Sequence, residues 1–281
     1  MDMKISIITV CHKSKEKILR YVETFLEHHR YAGSSNYEFI FVENSGEIDF
    51  AASVQPLLKN GFEVKIICTE NEGFGVGCNR GAGLATGDIL VFANPDIEFM
   101  TKLDALNLVE RQEWWGTCRQ LDGKSRVGGL DIFPECKKTW HEFVRFHRFV
   151  NVFPSWFGSK LYVVGSFLIV TVDIFRRTKG FDSRFFLYYE EAEFGRRLNK
   201  TIGPPVQLSN IVITHVGFGS HENKSSIYEH EANGFLTYCQ VTMQPWLIAR
   251  KIKTLGAVSR FSQGAKIRLE VLKSKIINDF K

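Results

Sequence analysis

An α/β fold built on a mainly parallel sheet is what the sequence predicts, and three observations predict it. Four short runs rich in Ile, Val and Phe occur before Asn94. Helix-length segments separate them, and strands alternating with helices imply βαβ units. A polar cluster follows each run, as expected where ligands bind outside the carboxyl ends of parallel strands.

In chain order, residues 4–11 (KISIITVC) and 37–42 (YEFIFV) read as buried strands, and residues 64–68 and 89–93 complete the series. Helices are expected over 15–29, 50–59 and 75–85. After Asn94 the regularity weakens, with a helix expected over 103–113 and a loop-rich stretch to 160 holding Trp114, Trp115, Trp140 and Trp156. A second regular block follows: a strand near 162–172, a helix from about Tyr189, a strand near 206–214 and a helical, basic C-terminus.

The 281 residues suffice for a sizeable core, and 44% hydrophobic with 24% charged is the balance of a globular protein. Six cysteines are scattered without a CxxC pair, which excludes zinc-ligand and thioredoxin-type spacings and favours reduced thiols. The first residues lack the pattern of a cleavable signal peptide, and the most apolar later stretch is shorter than the roughly 20 residues a membrane span needs. A cytoplasmic location is therefore expected. The net charge of +5 is uneven. Residues 250–281 hold nine basic and two acidic side chains, a local +7 that leaves the rest at −2. A basic tail on a nearly neutral body points to an anionic surface. Apolar residues at helical spacings run through that tail, so it can lie on the inner face of a bacterial membrane, or pack on the catalytic body or on the second subunit of a homodimer. Nucleic acid is not expected, because the body carries no matching basic stripe.

The glycine-rich segment NEGFGVGCNRGAG (71–83) fails the dinucleotide test, since Cys78 and Arg80 stand where a third glycine is needed and the segment follows the third strand. No Gly-Lys-Ser/Thr ends it, which excludes a Walker A loop. Its glycines permit close helix packing, and phosphate or sugar contact by Gly73 and Arg80 stays open beside that reading. Asp96, in FANPD, is either a helix cap or a ligand for a divalent cation that neutralises a diphosphate. Downstream, Glu190, Glu191 and Glu193 follow an aromatic run. Packed against apolar walls, a carboxyl there is raised toward base function. For Glu193 the preferred reading is a solvated i,i+4 pair with Arg197.

Taken in order, ITVCHKS, FVENSGE, NEGFGVGCNRGAG, FANPD, VGSFLIVTVDIFRRTKGFDSRFFLYYEEAEFGRRL and HVGFGS resemble the family-two glycosyltransferases of GT-A fold, especially the bacterial rhamnosyltransferase-like branch. The resemblance covers roughly residues 4–220. It implies a GT-A catalytic domain over 1–249, with a donor half of about 1–100 and an acceptor half of about 101–249, followed by the basic helical extension 250–281. It also implies an inverting hexosyltransferase of cell-surface polysaccharide synthesis that uses a nucleotide-diphosphate sugar, rhamnose or another hexose. The acceptor would be a glycan or lipid-linked saccharide, and the cofactor Mg2+ or Mn2+. By position, Thr9, Glu43 and Asn44 fall among the residues that hold the donor nucleotide, Glu43 standing where Asp is commoner. Asn94 and Asp96 match the DxD-type metal and diphosphate motif, Glu191 the catalytic aspartate, and Glu190 its neighbour. His215 matches a histidine that approaches metal and phosphates, and His12 stands where Asn is usual. Two other readings compete: a sugar-nucleotide pyrophosphorylase, which would want a glycine-rich loop where this chain has CHKSK, and a non-catalytic glycan- or lipid-binding protein of the same fold.

Overall fold

The computed structural model of the chain describes residues 3–29, 36–103, 113–122, 125–137, 146–215 and 224–279. Its first half alternates as the sequence predicts: β1 (Ile5–Cys11), α1 (Lys15–His29), β2 (Tyr37–Glu43), α2 (Phe50–Lys59), β3 (Glu63–Cys68), α3 (Phe74–Leu84) and β4 (Ile89–Ala93). Strand periodicity sorts the side chains between two cores. Ile7, Phe39, Val91 and Ile169 face α1 and α2, whereas Ile8, Ile40, Leu90 and Leu168 face α3 and the later helices. Each large apolar side chain so buried is worth roughly 1.5–3 kcal/mol. Phe25 of α1 shows how one face closes: it stacks on His29 at 3.9 Å and meets Phe39 edge-on at 4.7 Å.

Beyond β4 the chain forms β5 (Ile97–Phe99), β6 (Trp115–Asp122), β7 (Ser125–Gly128), β8 (Leu130–Ile132), α4 (Phe146–Val152), β9 (Leu161–Val163), β10 (Phe167–Thr171), α5 (Val172–Arg177), α6 (Glu190–Ile202) and β11 (Val206–His215). Helices α7 (Lys224–Val241), α8 (Trp246–Val258) and α9 (Gln263–Asp279) follow. The main sheet runs β3-β2-β1-β4-β10-β6-β11-β5, with β7 paired to β6. The first four strands are parallel. β10 then enters antiparallel to both β4 and β6, so a parallel half continues into a mixed half.

Three expectations change in detail. The single strand near 162–172 is two strands in different sheets, because Val164–Ser166 leaves the pleat between β9, which pairs with β8, and β10. The stretch before residue 160 contains β6 to β8 and is not merely loop. The edge 249/250 falls inside α8, and Leu255, Ala265 and Leu272 are buried in the core shared with α6 and α7. Through these residues the described part of the segment, 250–279, packs on the body. Most of the helix expected over 103–113, Trp140, and the HVGFGS segment after His215 lie outside the described residues. Among the described residues, no helix is long and apolar enough to cross a membrane, and all six cysteines are unpaired.

Candidate active site

At the carboxyl end of the parallel half, side chains tie three loops together. His12 Nδ1 lies 3.1 Å from Asn44 Oδ1, the Asn44 amide donates to Asn71 Oδ1 at 3.2 Å, and the same oxygen accepts from Gly73 N. The Glu47 carboxylate accepts from Ser14 N and Lys15 N at 2.7 and 3.1 Å, capping the positive end of α1. Two residues expected at the donor have protein partners here. The Thr9 side chain is wholly buried and donates to the Tyr21 hydroxyl at 3.2 Å, because its strand position turns it into the α1 face. Glu43 is also buried, with one oxygen accepting from Ser45 N and the other from Gly46 N, both at 2.8 Å. It folds its own loop. Asn44, at the junction, is the member of this set that links the loops.

Asp96 occupies the turn between β4 and β5. The antiparallel pairing of β5 with β11 sets His215 opposite Ile97, which brings His215 Nε2 within 3.3 Å of Asp96 Oδ1. Burial pushes the Asp96 carboxyl up, but the hydrogen bond and charge of His215, with help from Lys17, outweigh it and leave it below the usual aspartate value. A carboxylate oxygen and an imidazole nitrogen are ordinary ligands of a divalent cation, and this separation suits two ligands each at roughly 2.1 Å from one ion. Among the described residues no three His, Cys, Asp or Glu side chains converge, so a cation at this pair would draw further ligands from diphosphate oxygens and water. Asn94 stands two residues before Asp96, and its N–H donates to the Ser166 carbonyl at 3.0 Å.

The glycine-rich segment joins the two halves. A Cβ on Gly73, whose φ is +105°, would meet the Phe186 carbonyl oxygen at 2.3 Å, and Phe74 N donates to that oxygen at 2.9 Å. On α3, a Cβ on Gly81 would meet Ile8 at 2.4 Å, so the helix lies directly on β1. Asn79 clamps the backbone of Phe181 with a donor and an acceptor at 2.8 and 2.9 Å. Packing thus accounts for the glycines. Arg80 pairs with Glu72 and reaches the Glu70 carbonyl at 3.4 Å, which engages it with its own loop.

Glu190 and Glu191 open α6 from a strained entry. Tyr188 and Tyr189 both have left-handed backbones, φ 71° and 69°, a cost of order 1–3 kcal/mol each for non-glycine residues. Helix α7 holds them there, since a Cβ on Gly234 would sit 2.3 Å from the Tyr188 carbonyl oxygen. Glu190 is 3% exposed, and burial, then the charge of Glu191, drives its carboxyl far above the ordinary range. Burial raises Glu191 too. Its own backbone N–H pulls it back, Asp131 raises it, and the Tyr189 N–H and Lys137 lower it. One oxygen of each carboxyl is buried with no hydrogen-bond partner among the described residues. Coupled, desolvated and unsatisfied, the pair is disposed to share a proton near neutral pH.

One short loop connects these groups. A Cβ on Gly165 would lie 3.5 Å from Phe74 and 3.9 Å from Glu191, and its neighbour Ser166 carries the carbonyl that binds Asn94. Glu191 is thereby linked through one short loop to the Asp96–His215 pair and to the Gly73 junction. Glu193 is different: Arg197 grips it through contacts of 2.6–3.0 Å and continues to the Gly180 carbonyl at 2.7 Å. The expected i,i+4 pair is present, but Glu193 is 6% exposed, so it ties α6 to the 178–180 turn and does not form a solvated face. Sequence reasoning missed Asp131 and Lys137, paired at 2.6 Å, which set the field around Glu191. No local motif marks them, because β8 and its following turn meet α6 only through the tertiary fold.

The profile of glycosyl transferase family 2 matches residues 6–177, more than half of the chain. A search of curated protein sequences returns no match. Among solved structures, a mannosyltransferase from Pyrobaculum calidifontis in complex with GDP-Man and Mn2+ is similar, with a TM-score of 0.61 at 12% identity, covering 100% of this chain and 81% of that one. TarS 1–349 from S. aureus in complex with UDP is also similar, with a TM-score of 0.55 at 12% identity, covering 93% of this chain and 73% of that one. Its complex with UDP-GlcNAc matches at the same TM-score and identity, covering 93% and 74%. With the sheet order, the strand-end loops and the family profile in agreement, the chain belongs to glycosyltransferase family 2 and has the GT-A fold.

Proposed function

We propose that the chain is an inverting, metal-dependent hexosyltransferase that moves a sugar, rhamnose or another hexose, from a nucleotide-diphosphate donor to an acceptor hydroxyl in cell-surface polysaccharide synthesis. The observation that carries this reading is the Glu190–Glu191 pair, Glu190 buried and Glu191 half-buried, each with one buried oxygen that has no partner among the described residues, set beside the Gly73–Phe74 junction. Asp96 and His215 would hold Mg2+ or Mn2+, which when bound supplies positive charge to the departing diphosphate. Glu191 takes the acceptor hydroxyl proton as the acceptor oxygen bonds to the anomeric carbon and the carbon–diphosphate bond breaks. Attack from the face opposite the leaving group inverts that carbon. Glu190, the more deeply buried, keeps its proton and so leaves Glu191 to accept the one from the acceptor. The mannosyltransferase bound to GDP-Man and Mn2+, and TarS bound to UDP-GlcNAc, support a nucleotide-sugar donor and a metal.

In the same reading, the C-terminal helices hold the enzyme against the cytoplasmic face of an anionic membrane, supported by the side chains they expose. Lys253, Arg260, Lys266 and Lys273 are exposed there, with Phe261 81% and Ile277 58% exposed beside them. Such a mixture of cations and apolar groups is that of an interfacial helix pair.

The test is donor binding across a nucleotide-sugar panel with and without Mn2+. Wild-type chain should bind one donor in a metal-dependent way, and Asp96→Ala should lose that dependence while melting as wild type does. Undiminished metal-dependent binding by the variant would remove Asp96 from the site.

A further inference from the structure

A groove lined by Tyr189, the residue that precedes α6, gathers cations. Its first part is lined by Pro134, Lys137, Tyr189, Phe235, Leu247, Arg250, Lys251 and Thr254. Three cations line it and no carboxylate does. It continues past Tyr189, Phe235 and Lys251 into a second part walled by Leu255 and Leu272 and by the Glu231–Arg268 ion pair, closed at 2.8 Å, so Lys251 stands where the two parts meet.

The cations differ in how far the protein satisfies them. Lys137 pairs with Asp131 at 2.6 Å. Arg250 spreads over the carbonyls of Pro134 and Glu135, the latter at 2.9 Å, and stacks on Trp246 at 4.9 Å. The nearby Glu135 carboxylate is already taken by Arg196 at 2.8 Å and by the Tyr238 hydroxyl at 2.7 Å. Lys251 has only the Phe235 ring, its Nζ 5.8 Å from the centroid, and no carboxylate partner among the described residues. Its charge also acts against that of Lys137. Asp131 keeps the Lys137 charge favoured, so Lys251 is the cation of the groove left to meet an outside anion.

We propose that this groove binds the phosphate of a phosphate-bearing acceptor, with Lys251 as its principal donor and Lys137 and Arg250 beside it. This rests on the reading of Glu191 as base, because the groove shares Tyr189 with the helix turn that presents Glu191. Lys137 lines the groove and its charge reaches Glu191, so an acceptor anchored there by its phosphate can offer its hydroxyl to Glu191. The apolar continuation past Leu255 and Leu272 accommodates an alkyl chain attached to that phosphate. A phosphate in a polyol chain would use the charged part alone.

The experiment is calorimetric titration of the full chain, in EDTA and without donor, with octyl phosphate, glycerol phosphate and octanol. At least one phosphate should bind while octanol binds at least tenfold more weakly. Lys251→Gln should weaken phosphate binding roughly tenfold, as loss of one charge-assisted hydrogen bond implies, and Lys251→Arg should restore most of it. Binding of octyl phosphate alone identifies a lipid phosphate, and comparable binding of glycerol phosphate identifies a polyol phosphate. Octanol binding as well as octyl phosphate, equal affinities in wild type and Lys251→Gln, or loss of binding in Asp96→Ala would overturn the proposal, the last because it places the phosphate in the donor site. Since the titration involves no turnover, an active Glu191→Gln enzyme would refute the base assignment and leave this result standing.

Discussion

Two buried glutamate sites occupy opposite ends of one sheet, and their environments are opposites. Glu38 lies at the amino end of the parallel strands, where one oxygen accepts from Ser6, Thr86 N and Gly87 N at 2.5, 2.6 and 3.1 Å and the other from Lys65 at 2.8 Å. Burial alone would raise its carboxyl. Lys65, Ser6 and Thr86 together bring it down to about 2. Glu190, also buried, and the half-buried Glu191 lie across the molecule at the carboxyl end, and each keeps a buried oxygen with no partner among the described residues. Burial is common to both sites, so it cannot be what marks function. The unsatisfied hydrogen-bonding capacity is, because a carboxylate with its lone pairs already filled has nothing left to offer a substrate proton.

The contrast can be broken by neutralising each site in turn. The largest effect is expected for Glu191→Gln: transfer should fall about 10²- to 10⁴-fold, the usual cost of a lost general base, with donor affinity retained. Single-turnover kinetics beside donor titration separates the two. If Glu190→Gln is inactive and Glu191→Gln is active, the roles within the pair are reversed. Glu38→Gln should do the opposite, leaving turnover per folded molecule intact and lowering unfolding free energy by about 2 kcal/mol in urea denaturation, because Ser6, Thr86 N and Gly87 N lose a charged acceptor while Lys65 keeps Glu63. With a folded pKa near 2, below its unfolded value, Glu38 stabilises the chain above the ordinary glutamate range. That contribution should fade as pH falls through the range toward 2. Loss of activity in Glu38→Gln without loss of stability would erase the distinction.

How much of this was legible before the structure depends on where each residue finds its partners. The first half is readable because its strands are continuous apolar runs and its helices have clean edges, and α1 and α2 occupy the very spans expected. β6 is not readable, because buried polar residues interrupt it. Thr117 donates to the Phe167 carbonyl at 2.6 Å, and Gln120 accepts from Ser166 at 2.8 Å. Those partners are distant in sequence, so the strand looks like loop until the sheet is assembled. The site divides in the same way. Asp96 announces itself at a strand end, and the glutamates behind an aromatic run announce α6. Nothing local says that β5 and β11 set His215 beside Asp96, or that Lys137 and Lys251 share a groove. Thr9 and Glu43 were legible as strand-end polar residues, but only the fold reveals that their hydrogen bonds turn inward to Tyr21 and to the 45–46 turn.

The central claim, that the coupled pair at the start of α6 supplies the base, is tested most directly by the pH dependence of the transfer rate in wild type and Glu191→Gln. A base must be ionised to act, so the wild-type rate should be low in acid, rise with pH and level off. Its inflection should lie above the ordinary carboxylate range, because burial raises both members of the pair, and it belongs to the pair as a whole. In Glu191→Gln that inflection should disappear together with most of the rate. An inflection at the ordinary glutamate value of roughly 4.3, or the same profile in both proteins, would contradict the account.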